Sequence, residues 1–203
     1  MLTIWGRSNS HNVKKVAWFA QEIGLPFVRR DVGGQYGMDA AYRAKNPNAL
    51  IPTIEDDGLI LWESNAILRY LGARYAPADM WPADPVARAQ GDKWMDWNFS
   101  FADAQRDAFK QLIRTPVEQR DAGLIAASAA AAGKAMAILD DALASQPWLS
   151  GDAFGVADVP MGAYAHTFFT LDMTRPDVPH VRAWYDRLRA RPAYVETVMI
   201  PLT

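Results

Sequence analysis

The chain has 203 residues, half of them hydrophobic and 22% charged, enough for one large or two small cored domains and incompatible with a disordered chain. Its 21 Lys and Arg against 23 Asp and Glu leave a formal charge of -2, with no electrostatic footprint for nucleic acid. Cysteine is absent, which excludes disulfide staples, thiolate metal ligands and a thiol nucleophile supplied by the protein.

Leu2 to Trp5 reads as a short strand, and Met1-Leu-Thr-Ile-Trp5 lacks the basic start and apolar run of a signal peptide. Gly6-Arg-Ser-Asn-Ser10 is rich in turn and cap formers. A helix is predicted from about Asn12, with Val13, Val16, Ala17 and Ala20 at helical spacing and a stop at Gly24 and Pro26. Phe27 to Val32 reads as a second strand, ended by Gly33-Gly34, and Asp39 to Ala44 as a short helix closed by Asn46-Pro47. Strands at 53–55 and 59–62 flank Asp56-Asp57-Gly58, a strong hairpin signal. Ser64 to Tyr75 is helical, with Ile67, Leu71 and Tyr75 on one stripe. The order β-α-β-α-β-β-α implies a right-handed parallel crossover followed by an antiparallel hairpin, hence a small mixed sheet with helices packed on it.

Pro77 to Pro85 holds three prolines in nine residues and reads as a linker. The expected division is residues 1–77, a linker at 78–85, and a second domain at 86–203. The second domain is all-helical. Trp94, Trp97 and Phe101 lie at helical spacing, residues 126–137 are alanine-rich, and Val181, Trp184, Tyr185 and Leu188 follow i, i+3, i+4, i+7. No apolar run is expected to approach the roughly 18 residues of a membrane helix, so a soluble cytoplasmic protein is the default. His11, His166 and His180 show no metal-ligand spacing, and no metal site is expected.

Two dipeptides carry chemistry. Pro52 is either a strand-edge proline or a cis proline, and a cis bond would leave the backbone N–H and C=O of Ile51 open to an extended peptide. Glu63-Ser64 either caps the helix that follows or receives an amino-acid moiety. In the second case the helix N-terminus and the Ser hydroxyl take a carboxylate, and the Glu takes an ammonium.

Asn46-Pro-Asn-Ala-Leu-Ile-Pro-Thr-Ile54 and Leu61-Trp-Glu-Ser-Asn-Ala-Ile67 resemble the thioredoxin-like domain of cytosolic glutathione transferases, and the helical part resembles that family's C-terminal domain. The likeness covers nearly the whole chain. It implies an α/β thioredoxin-like N-terminal domain plus an all-α C-terminal domain, with glutathione as co-substrate. It implies that Ile51 and Pro52 pair with the cysteinyl part of glutathione and that Glu63 and Ser64 hold its γ-glutamyl end. The family's activating residue is Tyr, Ser or Cys. Ser10 and Asn12 resemble the hydroxyl and amide positions of bacterial, theta-like serine-type members, with Ser8 as runner-up and helix capping as an alternative role for Ser10. A lone His11 at a helix start reads as a solvated surface residue. Asp39 and Lys45 lie near the segment that meets the glycine end in the family. Trp94, Trp97, Phe101, Arg106, Phe109 and Tyr164 are candidates to line an electrophile pocket, though an aromatic stripe at this spacing is more often core. Gly155 stands where the family usually carries Ser or Thr three residues before Asp158. The implied activity is attack of glutathione thiolate on an electrophile. The alternatives are glutathione-dependent isomerisation, disulfide reduction through bound glutathione, or non-catalytic binding. A homodimer is implied as well.

Overall fold

The computed structural model describes residues 1–203. Strand β1 (Leu2–Trp5) turns Leu2 and Ile4 into the core while Thr3 and Trp5 stay half-buried, the alternation a strand imposes. It pairs in parallel with β2 (Phe27–Arg30) and antiparallel with β3 (Thr53–Asp56), and β4 (Leu59–Trp62) completes the sheet order β2-β1-β3-β4. Strand β2 stops at Arg30, two residues short of the Val32 expected from sequence. Asp57 and Gly58 both take positive φ, 48° and 83°, so the hairpin closes on a two-residue turn whose twist matches its strands.

Helix α1 (His11–Glu22) forms the crossover, α2 (Ala40–Lys45) follows β2, and α3 (Ser64–Tyr75) follows the hairpin. The helical part comprises α4 (Pro85–Phe109), α5 (Ala122–Leu143), α6 (Asp158–Thr170), α7 (Pro179–Arg189) and α8 (Pro192–Thr197). Asp39, Asp84 and Asp121 start α2, α4 and α5 by accepting backbone N–H bonds from Tyr42, Ala87 and Leu124 at 2.7, 2.8 and 3.0 Å.

The apolar stripe of α1 suggests a helix with one wet face. Instead every residue from Val13 to Ala20 is buried, because α1 packs against α3 on one side and α6 and α8 on the other. One continuous core of 37 buried residues therefore runs from Leu2 to Val198 through both parts of the chain. Polar links cross the same seam. Arg69 on α3 donates to Asp92 and Asp96 on α4, both at 2.7 Å, and Asn65 donates to the Met95 carbonyl at 2.5 Å.

Helix α5 corrects an expectation. At 22 residues and mean hydropathy 1.6 over its best window, it is by length and composition apolar enough to cross a membrane, where the sequence reading expected no such segment. Much of that apolarity is alanine. Ala129, Ala132, Met136 and Leu139 are buried, and the helix packs on α4 and α7.

Asp158 at the start of α6 is fully buried and accepts four bonds. These come from the backbone N–H of Leu149, Ser150 and Gly155 at 2.8, 3.3 and 3.1 Å, and from Trp184 Nε1 at 2.8 Å. A Cβ at Gly155 would lie 2.8 Å from Ser150 Oγ and 3.1 Å from the Met80 carbonyl. The glycine thus answers to Ser150, whose side chain occupies the space that a Ser or Thr at 155 would need.

Candidate active site

The loop from Gly6 to Ser10 leaves the end of β1 and delivers the chain to α1. Gly6 sits at φ 149°, and a Cβ there would meet Val13 Cγ2 at 2.4 Å and Ile51 Cβ at 3.2 Å. Only a residue without a side chain lets this loop lie against Ile51. The Ile51–Pro52 peptide is cis. Both flanking residues are tethered: the Leu50 carbonyl accepts from Tyr42 OH at 2.5 Å and Asn46 Nδ2 at 3.0 Å, and Thr53 pairs with Trp5 across the sheet. The N–H and C=O of Ile51 make no hydrogen bond within the protein.

Ser10 is the N-cap residue of α1, and its carbonyl accepts the first helical bond from Lys14 at 2.9 Å. Its side chain makes no capping bond, so capping does not explain the hydroxyl. Ser8 is exposed, and Asn9 is engaged by Arg7 Nη1 at 2.6 Å. Asn12, half-buried in the first turn of α1, accepts at 3.3 Å from the hydroxyl of Ser64, 52 residues away at the start of α3. Ser64 is buried and opens the helix, while Glu63 before it holds φ 73°, a left-handed conformation unusual for a residue with a side chain. The structure thus ties Asn12 to Ser64, beside Glu63, and lays Gly6 at the start of the loop to α1 against Ile51.

Sequence reasoning missed Lys15. Its Nζ is fully buried, donates to Asn98 Oδ1 at 2.6 Å and Asn65 Oδ1 at 3.5 Å, and lies 5.4 Å from the centre of the Tyr164 ring. Desolvation pulls its pKa down to about 7, with the negative charge of Glu63 offsetting part of the effect. No periodicity signals this residue, because it lies off the apolar stripe and owes its burial to α4 and α6.

His11 also departs from expectation. It is not a solvated surface residue. Its ring stacks on Tyr164 at 4.3 Å, meets Phe109 edge-on at 5.2 Å, and shares a 2.7 Å hydrogen bond with Thr167 Oγ1. Desolvation, reinforced by Lys14, Lys15, Arg114 and Arg7, pulls its pKa down to about 3, so it is neutral at ordinary pH. This ring forms one wall of a cavity of about 190 Å³. Of the six side chains suggested for an electrophile pocket, Arg106, Phe109 and Tyr164 line this cavity. Phe101 is fully buried behind Tyr164, and Trp94 and Trp97 pack on each other 5.5 Å apart away from it. A second cavity, of about 500 Å³, is lined by Arg7, Ser8 and Asn9 together with residues 34–36. Ser10 thus separates the segment facing one cavity from the histidine facing the other. Asp39 is spent as the cap of α2, and Lys45 pairs with Glu55 at 2.9 Å, so neither is left free.

Comparison with known proteins follows the same outline. Residues 6–79 match the family described as glutathione S-transferase, N-terminal domain, and residues 92–192 match glutathione S-transferase, C-terminal domain. Glutathione S-transferase GstB of Escherichia coli K12 is 43% identical with all of both chains aligned, and glutathione S-transferase 3 of Zea mays is 32% identical over 99% of this chain and 95% of its own. The crystal structure of the theta class glutathione S-transferase from Xanthomonas axonopodis pv. citri, with glutathione bound, superposes with a TM-score of 0.96. It is 50% identical over 100% of this chain and 99% of its own. Matched in both halves and aligned end to end with these relatives, the chain belongs to the glutathione S-transferase family, among its bacterial theta-like members.

Proposed function

We propose that this protein binds glutathione, stabilises its thiolate through Ser10 and Asn12, and directs it at a small electrophile in the cavity beside His11. The observation that carries this reading is the join between α1 and α3. Ser10 keeps a hydroxyl with no partner in the protein, while Asn12 is tied to Ser64 beside Glu63. An extended tripeptide with its γ-glutamyl end at Glu63 and Ser64, and its cysteinyl backbone on the unpaired groups of Ile51, would bring its sulfur toward the head of α1. There the helix N-terminus favours negative charge. A thiol of pKa about 8.5 is only a few per cent ionised at neutral pH. One hydrogen bond to a charged group is worth roughly 1.5–3 kcal/mol, which corresponds to a lowering of about one to two pKa units. The protein's remaining task is to hold the two reactants in line.

Thiolate absorbance of the bound glutathione, followed against pH, tests the assignment. In Ser10→Ala the bound thiol pKa rises by about one to two units and kcat/KM at neutral pH falls at least about tenfold. The assignment fails if Ser10→Ala leaves that pKa in place while Ser8→Ala or Asn12→Ala raises it.

We also propose a homodimer facing across α3 and the start of α4. Val86 at the start of α4 is 67% exposed, and the large side chains of Ile60 on β4, the strand before α3, and of Phe99 midway along α4 are 44% and 46% exposed. Sedimentation of wild type and of Phe99→Glu checks this, the variant shifting toward monomer. The reading places the protein in the cytoplasm, where glutathione is kept reduced.

A further inference from the structure

Helix α4 is not self-sufficient near its end. Ser128 of α5, only 7% exposed, donates its hydroxyl to the Ala104 carbonyl at 2.5 Å and accepts the Ala108 N–H at 3.0 Å. An α-helix joins those two groups to each other, residue i to residue i+4, so a hydroxyl from a neighbouring helix bridges one rung of the α4 ladder. A side chain inserted at a rung is one of the few physical causes of a helix bend. Gln105 lies in the bridged turn, is 2% exposed, and has no partner for either amide atom. An unpaired buried amide costs free energy, and no bond within the turn offsets it.

Beyond this turn the chain takes the wider winding of a π-helix, Lys110–Arg114. Arg120 closes it by donating to the Leu112 and Thr115 carbonyls at 2.8 and 3.1 Å, and the Thr115 hydroxyl donates to the Lys110 carbonyl at 3.1 Å. Two side chains near the head of α1 are mounted on this stretch. Phe109 meets the His11 ring edge-on, and Arg114 lines both the cavity beside His11 and the one bearing Ser8 and Asn9. Ser128 itself lines neither cavity.

We infer that Ser128 is a positioning residue for the transfer reaction: its hydroxyl, held between Ala104 and Ala108, sets the direction in which the chain runs on to Phe109 and Arg114. This rests on the transferase reading above and adds to it a residue that touches neither reactant. The leverage is geometric. Arg114 lies six residues past Ala108, about 9 Å along a helix, so a change of direction of about 10° at the rung moves it by roughly 1.5 Å. A misplacement of about 1 Å in a reaction site costs up to about a hundredfold in rate. Without the hydroxyl, the Ala104 carbonyl and the Ala108 N–H are free to bond to each other. The rung then closes with little loss of stability, and the wall carrying Phe109 and Arg114 shifts.

Iodoacetamide and N-phenyliodoacetamide share a reacting carbon and differ in bulk, and the chain has no cysteine of its own to consume them. Their kcat/KM values at saturating glutathione are compared in wild type, Ser128→Ala and Ser128→Thr, with the glutathione Kd and the thermal midpoint measured alongside. In Ser128→Ala the ratio of the bulky to the small reagent moves by at least about tenfold, while the glutathione Kd stays in place and the midpoint shifts by no more than about 4 °C. Ser128→Thr, which keeps the hydroxyl, returns the ratio to the wild-type value. An unmoved ratio overturns the inference and leaves the transferase reading standing, as does a threonine variant that fails to restore it. A Ser128→Ala chain that does not fold, or that loses glutathione and stability together, overturns it too, since the hydroxyl would then be holding the fold. If wild type binds glutathione and turns over neither reagent, the transferase reading fails and the inference falls with it.

Discussion

Withdrawing the Lys15 ammonium from water makes protonation of this residue costly in the folded state. Its pKa is about 7 folded, against the ordinary 10.5 of a lysine in water. Between those values the unfolded chain binds more protons, so stability rises as pH increases from 7 toward 10, and the full cost is present below 7. Lys14, lowered to about 8 by the same desolvation, acts in the same direction. Urea midpoints at pH 7 and pH 9 should therefore increase for the wild type, and the increase should shrink in Lys15→Met. An equal increase in that variant would show that Lys15 titrates normally.

His11 works on the acid side. Its pKa of about 3 lies below the ordinary 6.5 of a histidine, so stability falls as pH drops from 6.5, the range in which the unfolded chain gains the extra proton. His11→Gln should flatten that acid-side slope without abolishing it, because His166, lowered to about 4, contributes in the same range. Unfolding curves at several pH values between 4 and 7 provide the check. Neither effect was legible in the sequence. Both come from side chains of other helices closing over α1, and no local pattern encodes that closure.

At the scale of elements, the turn that starts α6 offers the sharpest test. Asp158→Ala would strand three backbone N–H groups and the Trp184 indole, at about 3 kcal/mol or more in unfolding free energy. Gly155→Ser should cost roughly 1–3 kcal/mol through overpacking against Ser150 and Met80, with most of the loss recovered in the double variant Gly155→Ser, Ser150→Gly. No recovery would mean that the clash with Ser150 is not the cause. The departure at Gly155 was visible in the sequence, but its partner was not, since Ser150 has no motif of its own. Other elements were legible almost to the residue. Helix α3 starts at Ser64 and ends at Tyr75 as read, and the Asp57-Gly58 turn follows from backbone preference alone. Strand β2 differs by two residues because the regular ladder with β1 ends at Arg30, while the Arg7 N–H still reaches the Val32 carbonyl at 3.1 Å outside that ladder.

For the whole molecule, the shared core argues against independent domains. Trp18 on α1 meets Tyr194 of α8 edge-on at 4.8 Å, and Tyr194 OH donates to the Gly162 carbonyl on α6 at 2.9 Å. A chain cut to residues 1–77 would expose that whole face of α1. It should show neither the amide dispersion nor the cooperative thermal transition of the full chain, measured by NMR and circular dichroism. A well-dispersed spectrum from the fragment would show that the thioredoxin-like part folds alone.

The order of strands and helices, the two-part architecture and the Ile-Pro and Glu-Ser pairs were all readable from the chain. They depend on local preference and on spacing within a few residues. The second half of the site was not readable in that way. The bond from Ser64 to Asn12, the burial of Lys15 against Asn65 and Asn98, and the stacking of His11 on Tyr164 join residues from 50 to more than 150 positions apart. Those groups acquire their charge states and roles only when the helical part closes over α1 and replaces water with protein.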